Sequence, residues 1–256
     1  MKTFLLWIEV DSFHQPTMAG FLEKCCIIFC EALKRGIPLR GVISAGTAIM
    51  DEEKHIFLGE PLADAAKAEP RQKWVGVSLG QSIFNIHPMD MRYILPYFKH
   101  RKNDNETLLS GWVLDWPSWW RENEEFDAIP FVNQMNINPE FGEYYSNCIS
   151  FYETSKQRVH IWNMFMIFQD VHKLSKLCAL GNSINDNQRI TRQEGIKILT
   201  SQKVLTCIQH ILNSNESNWL CESDRNLLVH LQNGYILVNE KLICMNDYKE
   251  AATLEV

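Results

Sequence analysis

Several classes of protein are excluded by what this chain does not contain. No apolar run approaches the ~20 residues that a membrane-crossing helix needs. The longest, residues 4–8 (FLLWI) and 161–168 (IWNMFMIF), are too short or too interrupted. No small-residue cleavage site follows the apolar start, so a removable leader is not expected. There is no C-x-x-C pair and no H-x-x-x-H pair, which removes the common zinc and dithiol arrangements. Nor is there an excess of basic residues. With 25 Lys and Arg against 31 Asp and Glu, the formal net charge is −6, the opposite of a nucleic-acid-binding footprint. The phosphate-cradling G-x-x-x-x-G-K-S/T and the dinucleotide G-x-G-x-x-G are both missing, and the string G-x-S-x-G occurs once, at residues 76–80 (GVSLG).

What remains is an ordinary globular composition: 256 residues, 46% hydrophobic and 22% charged, with ample material for a buried core. The eight cysteines are scattered, and Cys25, Cys26 and Cys30 fall inside an apolar helical pattern. They are expected to be buried thiols in a reducing cytoplasm. Neither a membrane nor a nucleic acid is an expected partner.

Residues 3–10 (TFLLWIEV) read as a buried strand. A helix is expected from Pro16 and Thr17 to Arg35, stopping at Gly36, with Met18, Leu22, Cys26, Phe29 and Leu33 on its apolar stripe. Residues 39–50 (LRGVISAGTAIM) read as one strand in which Gly41 and Gly46 mark bulges or close backbone approach. A DEEK turn at 51–54, a short return strand at 55–58, a helix at 61–69 opened by proline, and a strand at 74–79 follow. Further strands are expected at 92–97 and 108–114, then a tryptophan cluster (Trp116, Trp119, Trp120) and a long helical pattern from Gly142 to about Cys178. Residues 181–188 (GNSINDNQ) have the polar composition of a linker. Two helices (198–212, 223–231) and a hairpin (235–245) close the chain. These boundaries give a domain at 1–180 and a small helical or winged-helix-like subdomain at 181–256.

Residues 36–79 carry the most information as one unit. They run GIPLRGVISAG, a turn, HIFLGEPLADAAKAE and then WVGVSL. This order resembles the class III adenylate/guanylate cyclase homology domain, where a G-I-x-x-G strand precedes a hairpin ending in G-D-x-V-N-x-A-A-R. Gly59 and Glu60 match the Gly-Asp, Leu62 the Val, Ala65 and Ala66 the paired alanines, and Lys67 the Arg. The wording is similar to divergent bacterial cyclase-like proteins, a group that includes anti-phage pyrimidine-nucleotide cyclases. The likeness covers residues 1–80 and extends loosely over 81–170.

The resemblance implies an α/β fold of the α+β kind: a ferredoxin-like cyclase core, incomplete at its N-terminus, with a mainly helical C-terminal extension. It also implies sites shared across a head-to-tail homodimer, a nucleoside triphosphate ligand, and two Mg²⁺ or Mn²⁺ ions on carboxylates. Cyclisation needs those metals to activate the ribose 3′-hydroxyl and neutralise the triphosphate.

Against that pattern the chain departs at its chemical positions. Ala63 stands where the ribose-orienting Asn belongs, Lys67 replaces a bidentate Arg by a point charge, and Ile56 replaces the base-reading Asp. Lys2 falls where a metal-binding Asp is expected, and the strand carrying the other metal carboxylate has no counterpart. With no metals held, the chain is expected not to be a working cyclase, that is, a phosphorus–oxygen lyase. Gly59, Glu60 and Lys67 are the candidate nucleotide-binding residues; no catalytic or metal-ligating residue is assigned. A gap is expected at the centre of the sheet, where the missing first strand should lie between the strands that are present. Direct pairing of residues 3–10 with the 39–50 strand, a second chain, or a longer natural protein in which Met1 is an internal start would fill it, and the last is the expectation adopted.

Other features have plainer readings. Lys67 reads first as a solvated helix lysine and Glu60 as a favourable charge in a first turn. Asp11, His14 and the Asp51–Glu53 cluster read as turn residues. The WPSWW segment can stack a base or pack beneath a helix. Helix, helix and hairpin fit a winged-helix outline, but a recognition segment with a single Arg225 argues for a packing or effector-side role.

Overall fold

The longest amphipathic segment of the N-terminal half sets the first element. In the computed structural model helix α1 spans Gln15–Lys34, and Met18, Leu22, Cys26, Phe29 and Leu33 are each at most 3% exposed. It ends at Gly36, whose φ of +68° only glycine adopts without cost. There the Gly36 N–H donates to Leu33 O at 3.0 Å and the Ile37 N–H to Ala32 O at 2.9 Å, a Schellman stop. The structure describes residues 4–9, 15–85, 92–103, 106–136, 138–180, 198–199, 201–213, 222–233, 235–238 and 241–244. Asp11, His14 and the 181–188 segment lie outside them. The chain divides into two units, Met1–Arg158 and Val159–Val256.

The first unit is mixed α/β. Its sheet contains β1 (Arg40–Ile43), β4 (Gly76–Gly80), β6 (Leu109–Leu114) and β5 (Ile94–Pro96), hydrogen-bonded in the order β1-β4-β6-β5. β1 and β4 run parallel, with Gly41 opposite Val77, and the other two pairings are antiparallel. The continuous strand expected at 39–50 is broken. Residues 44–47 leave the sheet, and β2 (Ala48–Asp51) pairs with β3 (Ile56–Gly59) as a separate antiparallel hairpin. Helix α2 (Glu60–Ala68) follows and packs on β1, β3 and β4.

Residues 4–9 correct a second expectation: they form no strand. A strand exists only through a partner's main chain. Here Phe4, Leu5 and Leu6 are 62%, 47% and 41% exposed instead of buried.

After β6 come two helices that sequence periodicity did not resolve, α3 (Trp116–Asn123) and α4 (Ile129–Met135), then α5 (Gly142–Ser155) and the start of α6 (Arg158–Leu180). The long helical pattern from Gly142 is thus two helices, separated at Lys156 and Gln157.

Two aromatic clusters fill the core. Trp116 lies 4.9 Å from Phe29 of α1 and 5.7 Å from Tyr152 of α5, while Trp120 meets Phe126 and Phe131. Trp74, Tyr97, His100 and Phe151 form the second cluster. Full burial of each such ring contributes about 1.5–3 kcal/mol.

Asp115 sits at the β6–α3 junction with no exposed surface. Its carboxylate accepts from Ser118 N (3.3 Å), Ser118 Oγ (2.8 Å) and Ser155 Oγ (2.6 Å), and pairs with the Arg158 guanidinium. Arg158 also donates to Ile94 O of β5 at 3.2 Å. Arg121 of α3 donates to Ser155 O and Oγ at 3.0 and 2.8 Å.

Three of the thiols are buried as expected, while Cys25 and Cys207 are half-buried. Cys26, Cys30 and Cys148 are wholly enclosed and free, and burial raises their pKa values. Cys25 is pushed up to about 12 by the same cause. Cys207 is also a free thiol, and the side chains of Cys178, Cys221 and Cys244 lie outside the described residues.

In the second unit, α7 (Gln202–Asn213) packs on α8 (Glu222–Gln232), which contacts β7 (Tyr235–Val238); β7 pairs antiparallel with β8 (Lys241–Cys244). Ile208, Ile211, Leu228 and Leu231 are fully buried. Among the described residues no helix is long and apolar enough to cross a membrane.

Two measurements check this account. Removing one partner of a buried ion pair strands the other, so Asp115→Ala is expected to cost about 3–5 kcal/mol in urea unfolding. A loss under 1 kcal/mol would contradict the role given to this carboxylate. His100 is fully buried and donates through Nδ1 to Tyr97 O, leaving Nε2 without a partner among the described residues. Burial first, and the Arg101 charge second, depress its pKa from 6.5 to about 3. Between those values the unfolded chain binds a proton that the folded one refuses. This part of the stability is therefore complete above pH 6.5 and is lost as pH falls towards 3. His100→Gln should flatten the stability–pH curve in that window relative to the parent protein.

Candidate functional site

The unit Met1–Arg158 contains a cavity of about 2020 Å³ lined by β1 and by neighbouring elements, Val77 of β4 and Tyr144 and Tyr145 of α5 among them. One wall is β1 itself with the 44–47 segment. A second is the apolar stretch of residues 4–9, a third is a face of α1 including Cys25 and Ile28, and the fourth is α2.

β1 is an edge strand, and its backbone explains the cavity's character. Gly76 N donates to Leu39 O at 3.1 Å, and with Gly41 opposite Val77 the odd-numbered residues address β4. The alternation of a strand then turns the N–H and C=O of Arg40 and Val42 away from β4, towards the open side. A side chain built at Gly41 would meet nothing nearer than Val77, at 3.9 Å. Close packing does not require a glycine there.

Polar groups gather at the α2 end. Ser44 Oγ is buried without a partner among the described residues, whereas Ser82 Oγ accepts from Ala45 N at 3.1 Å. Glu60 and Asp64, one turn apart on α2, both line the cavity. Glu69 is engaged by Arg40 at 2.5 Å, and Arg40 also lies over the Tyr144 ring. Glu60, Asp64 and Glu9 have no ion pair with a described residue, so the rim carries uncompensated negative charge.

The three residues singled out from the sequence are only partly brought together. Glu60 is exposed on the cavity wall. Lys67 is exposed at the other end of α2 and does not line the cavity. Gly59 ends β3 opposite Ala48, and a Cβ added there would lie 2.6 Å from both Thr47 O and Ala48 Cα. Its lack of a side chain is explained by this backbone approach without reference to a ligand.

Carboxylates suited to two metal ions are not assembled by the described residues. Glu60 and Asp64 find no third donor, and no group of three or more metal-binding side chains exists among them. Asp51 is committed to its own turn. It accepts from Lys54 N at 2.9 Å and pairs with Lys54 Nζ at 2.7 Å, which holds its carboxyl below the usual range. The Trp116–Trp120 segment is core and offers no face to a base.

Sequence reasoning did not name the N–H and C=O groups of Arg40 and Val42, which have no backbone partner among the described residues. The signal was present in a strand-like 3–10 segment, for which pairing with the 39–50 strand was one of the arrangements expected. Comparison of the chain with family models, with curated proteins and with solved structures yields no match.

The steric reading of Gly59 is checked by Gly59→Ala. Two backbone atoms must shift to admit the methyl group, so a loss of about 1–3 kcal/mol is expected in chemical denaturation. A neutral substitution would return Gly59 to the list of ligand-binding candidates.

Proposed function

We propose that this chain is a catalytically degenerate, nucleotide-cyclase-like protein that serves as a regulatory or interaction module, binding a partner instead of turning over a nucleotide. The order of elements supports the cyclase-like reading. A strand is followed by a hairpin, a helix opening on Gly59-Glu60, and a second strand parallel to the first. The observation that carries the regulatory part is the cavity beside β1. It is large and apolar-walled, with an acidic rim, and Arg40, the one cation lining it among the described residues, is already engaged by Glu69. A triphosphate needs the reverse, since its charge must be neutralised by metals or by basic side chains. Ala63 and Lys67 add that α2 presents no Asn–Arg pair to a ribose and phosphate.

The open edge of β1 also favours a second reading, a divergent cyclase completed by a further N-terminal segment or a second chain. In that case the added polypeptide brings the metal carboxylates, and Mg²⁺ or Mn²⁺ would belong to the completed assembly. Both readings allow a head-to-tail homodimer.

Incubation of the purified protein with each of the four nucleoside triphosphates and Mn²⁺, followed by chromatography, separates the two. No cyclic product above a heat-killed control is expected. A cyclic nucleotide that disappears on heating would overturn the regulatory reading in favour of the second.

A further inference from the structure

We infer that the open edge of β1 is a docking site for an extended, apolar peptide strand with basic flanks, supplied by a partner protein. The inference builds on the regulatory reading above and gives that partner a chemical class.

Backbone geometry selects the shape of the guest. Arg40 and Val42 direct their main-chain donors and acceptors into the cavity, and an extended peptide is the guest that satisfies such a row. Size points the same way. Pockets for small molecules are typically 300–1,000 Å³, and at about 2020 Å³ this cavity is roughly twice the upper value. The stretch formed by residues 4–9 spans about 20 Å when extended, at ~3.3 Å per residue.

The opposite wall selects the side chains. Residues 4–9 have the composition of a buried strand, yet Phe4, Leu5 and Leu6 remain largely exposed on the cavity. A strand lying between them and β1 would cover this apolar surface and occupy the free edge in one step. Charge selects the flanks. Glu9, Glu60 and Asp64 line the cavity without ion pairs to described residues, and Arg40 is held by Glu69. Lys or Arg at the ends of the guest would meet this acidic rim, whereas acidic flanks would be repelled.

The test uses the whole chain and a synthetic probe, Lys-Lys-Val-Thr-Val-Ile-Val-Lys-Lys. Two controls accompany it, one with glutamates replacing the lysines and one N-methylated at alternate amides so that one edge cannot donate. Binding is followed by titration calorimetry and by hydrogen exchange at the Arg40 and Val42 amides. The basic peptide is expected to bind and slow exchange at both amides. The acidic one should bind about tenfold more weakly, a difference of 1.4 kcal/mol, and the N-methylated one should give no protection. Glu60→Gln combined with Asp64→Asn should bring the basic and acidic peptides towards parity.

Equal protection by the N-methylated peptide would overturn the inference, as would failure of every peptide to protect Val42. Concentration-dependent protection without peptide, accompanied by dimers in sedimentation, would assign the edge to a second copy and also overturn it. Failure of the peptide arms leaves the regulatory reading standing, because that reading falls only if a cyclic nucleotide is formed.

Discussion

The buried carboxylate of Asp115 holds together parts of the first unit that chain connectivity alone would leave independent. It caps α3 through Ser118, receives the Ser155 hydroxyl from the end of α5, and neutralises Arg158, whose guanidinium also reaches β5. Its own N–H donates to Tyr93 O at 2.7 Å, beside the start of that strand. Burying an anion is costly unless every lone pair is occupied, and here four donors meet the requirement. Because the donors come from separate segments, the cost of leaving Asp115 unsatisfied falls on any arrangement in which one of them strays. The long helical pattern divides close by, at Lys156 and Gln157. Ser155 and Arg158 stand on either side of that break, three residues apart, and both reach Asp115.

Local signals account for what was legible in the sequence. Helix α1 combines a regular apolar stripe with a glycine stop, and each is a property of adjacent residues. The hairpin β2–β3, helix α2 and strand β4 were also readable, within a residue or two. Helices α3 and α4 were not, because Trp-rich and Pro-containing segments score as irregular; the Asp115-x-x-Ser118 cap was the available sign. Residues 3–10 failed for a different reason. Their composition is that of a strand, but strand formation is a property of pairs, and no described neighbour pairs with residues 4–9. The break at residues 44–47 was hidden by a similarly continuous apolar pattern.

Of the candidate site, Gly59, Glu60 and Lys67 were all chosen through the same resemblance, and of the three only Glu60 lines the cavity. Gly59 has a packing explanation and Lys67 lies at the far end of its helix. The cavity was not foreseen, since its walls come from segments far apart in sequence; the gap expected lay at the centre of the sheet, whereas β1 stands at the end of the strand order. Its chemical character is set by what is already paired: once Arg40 is committed to Glu69, the surrounding carboxylates dominate.

The enclosed thiols of Cys26, Cys30 and Cys148 have a consequence for how the molecule can be observed. Alkylating reagents react with thiolates, and burial keeps these three protonated while the fold is closed. Two of them line the interior face of α1 and the third belongs to α5. Their consumption by such a reagent therefore measures how often those helices come away from the core. The chain contains an internal record of its own opening, readable without introducing a probe.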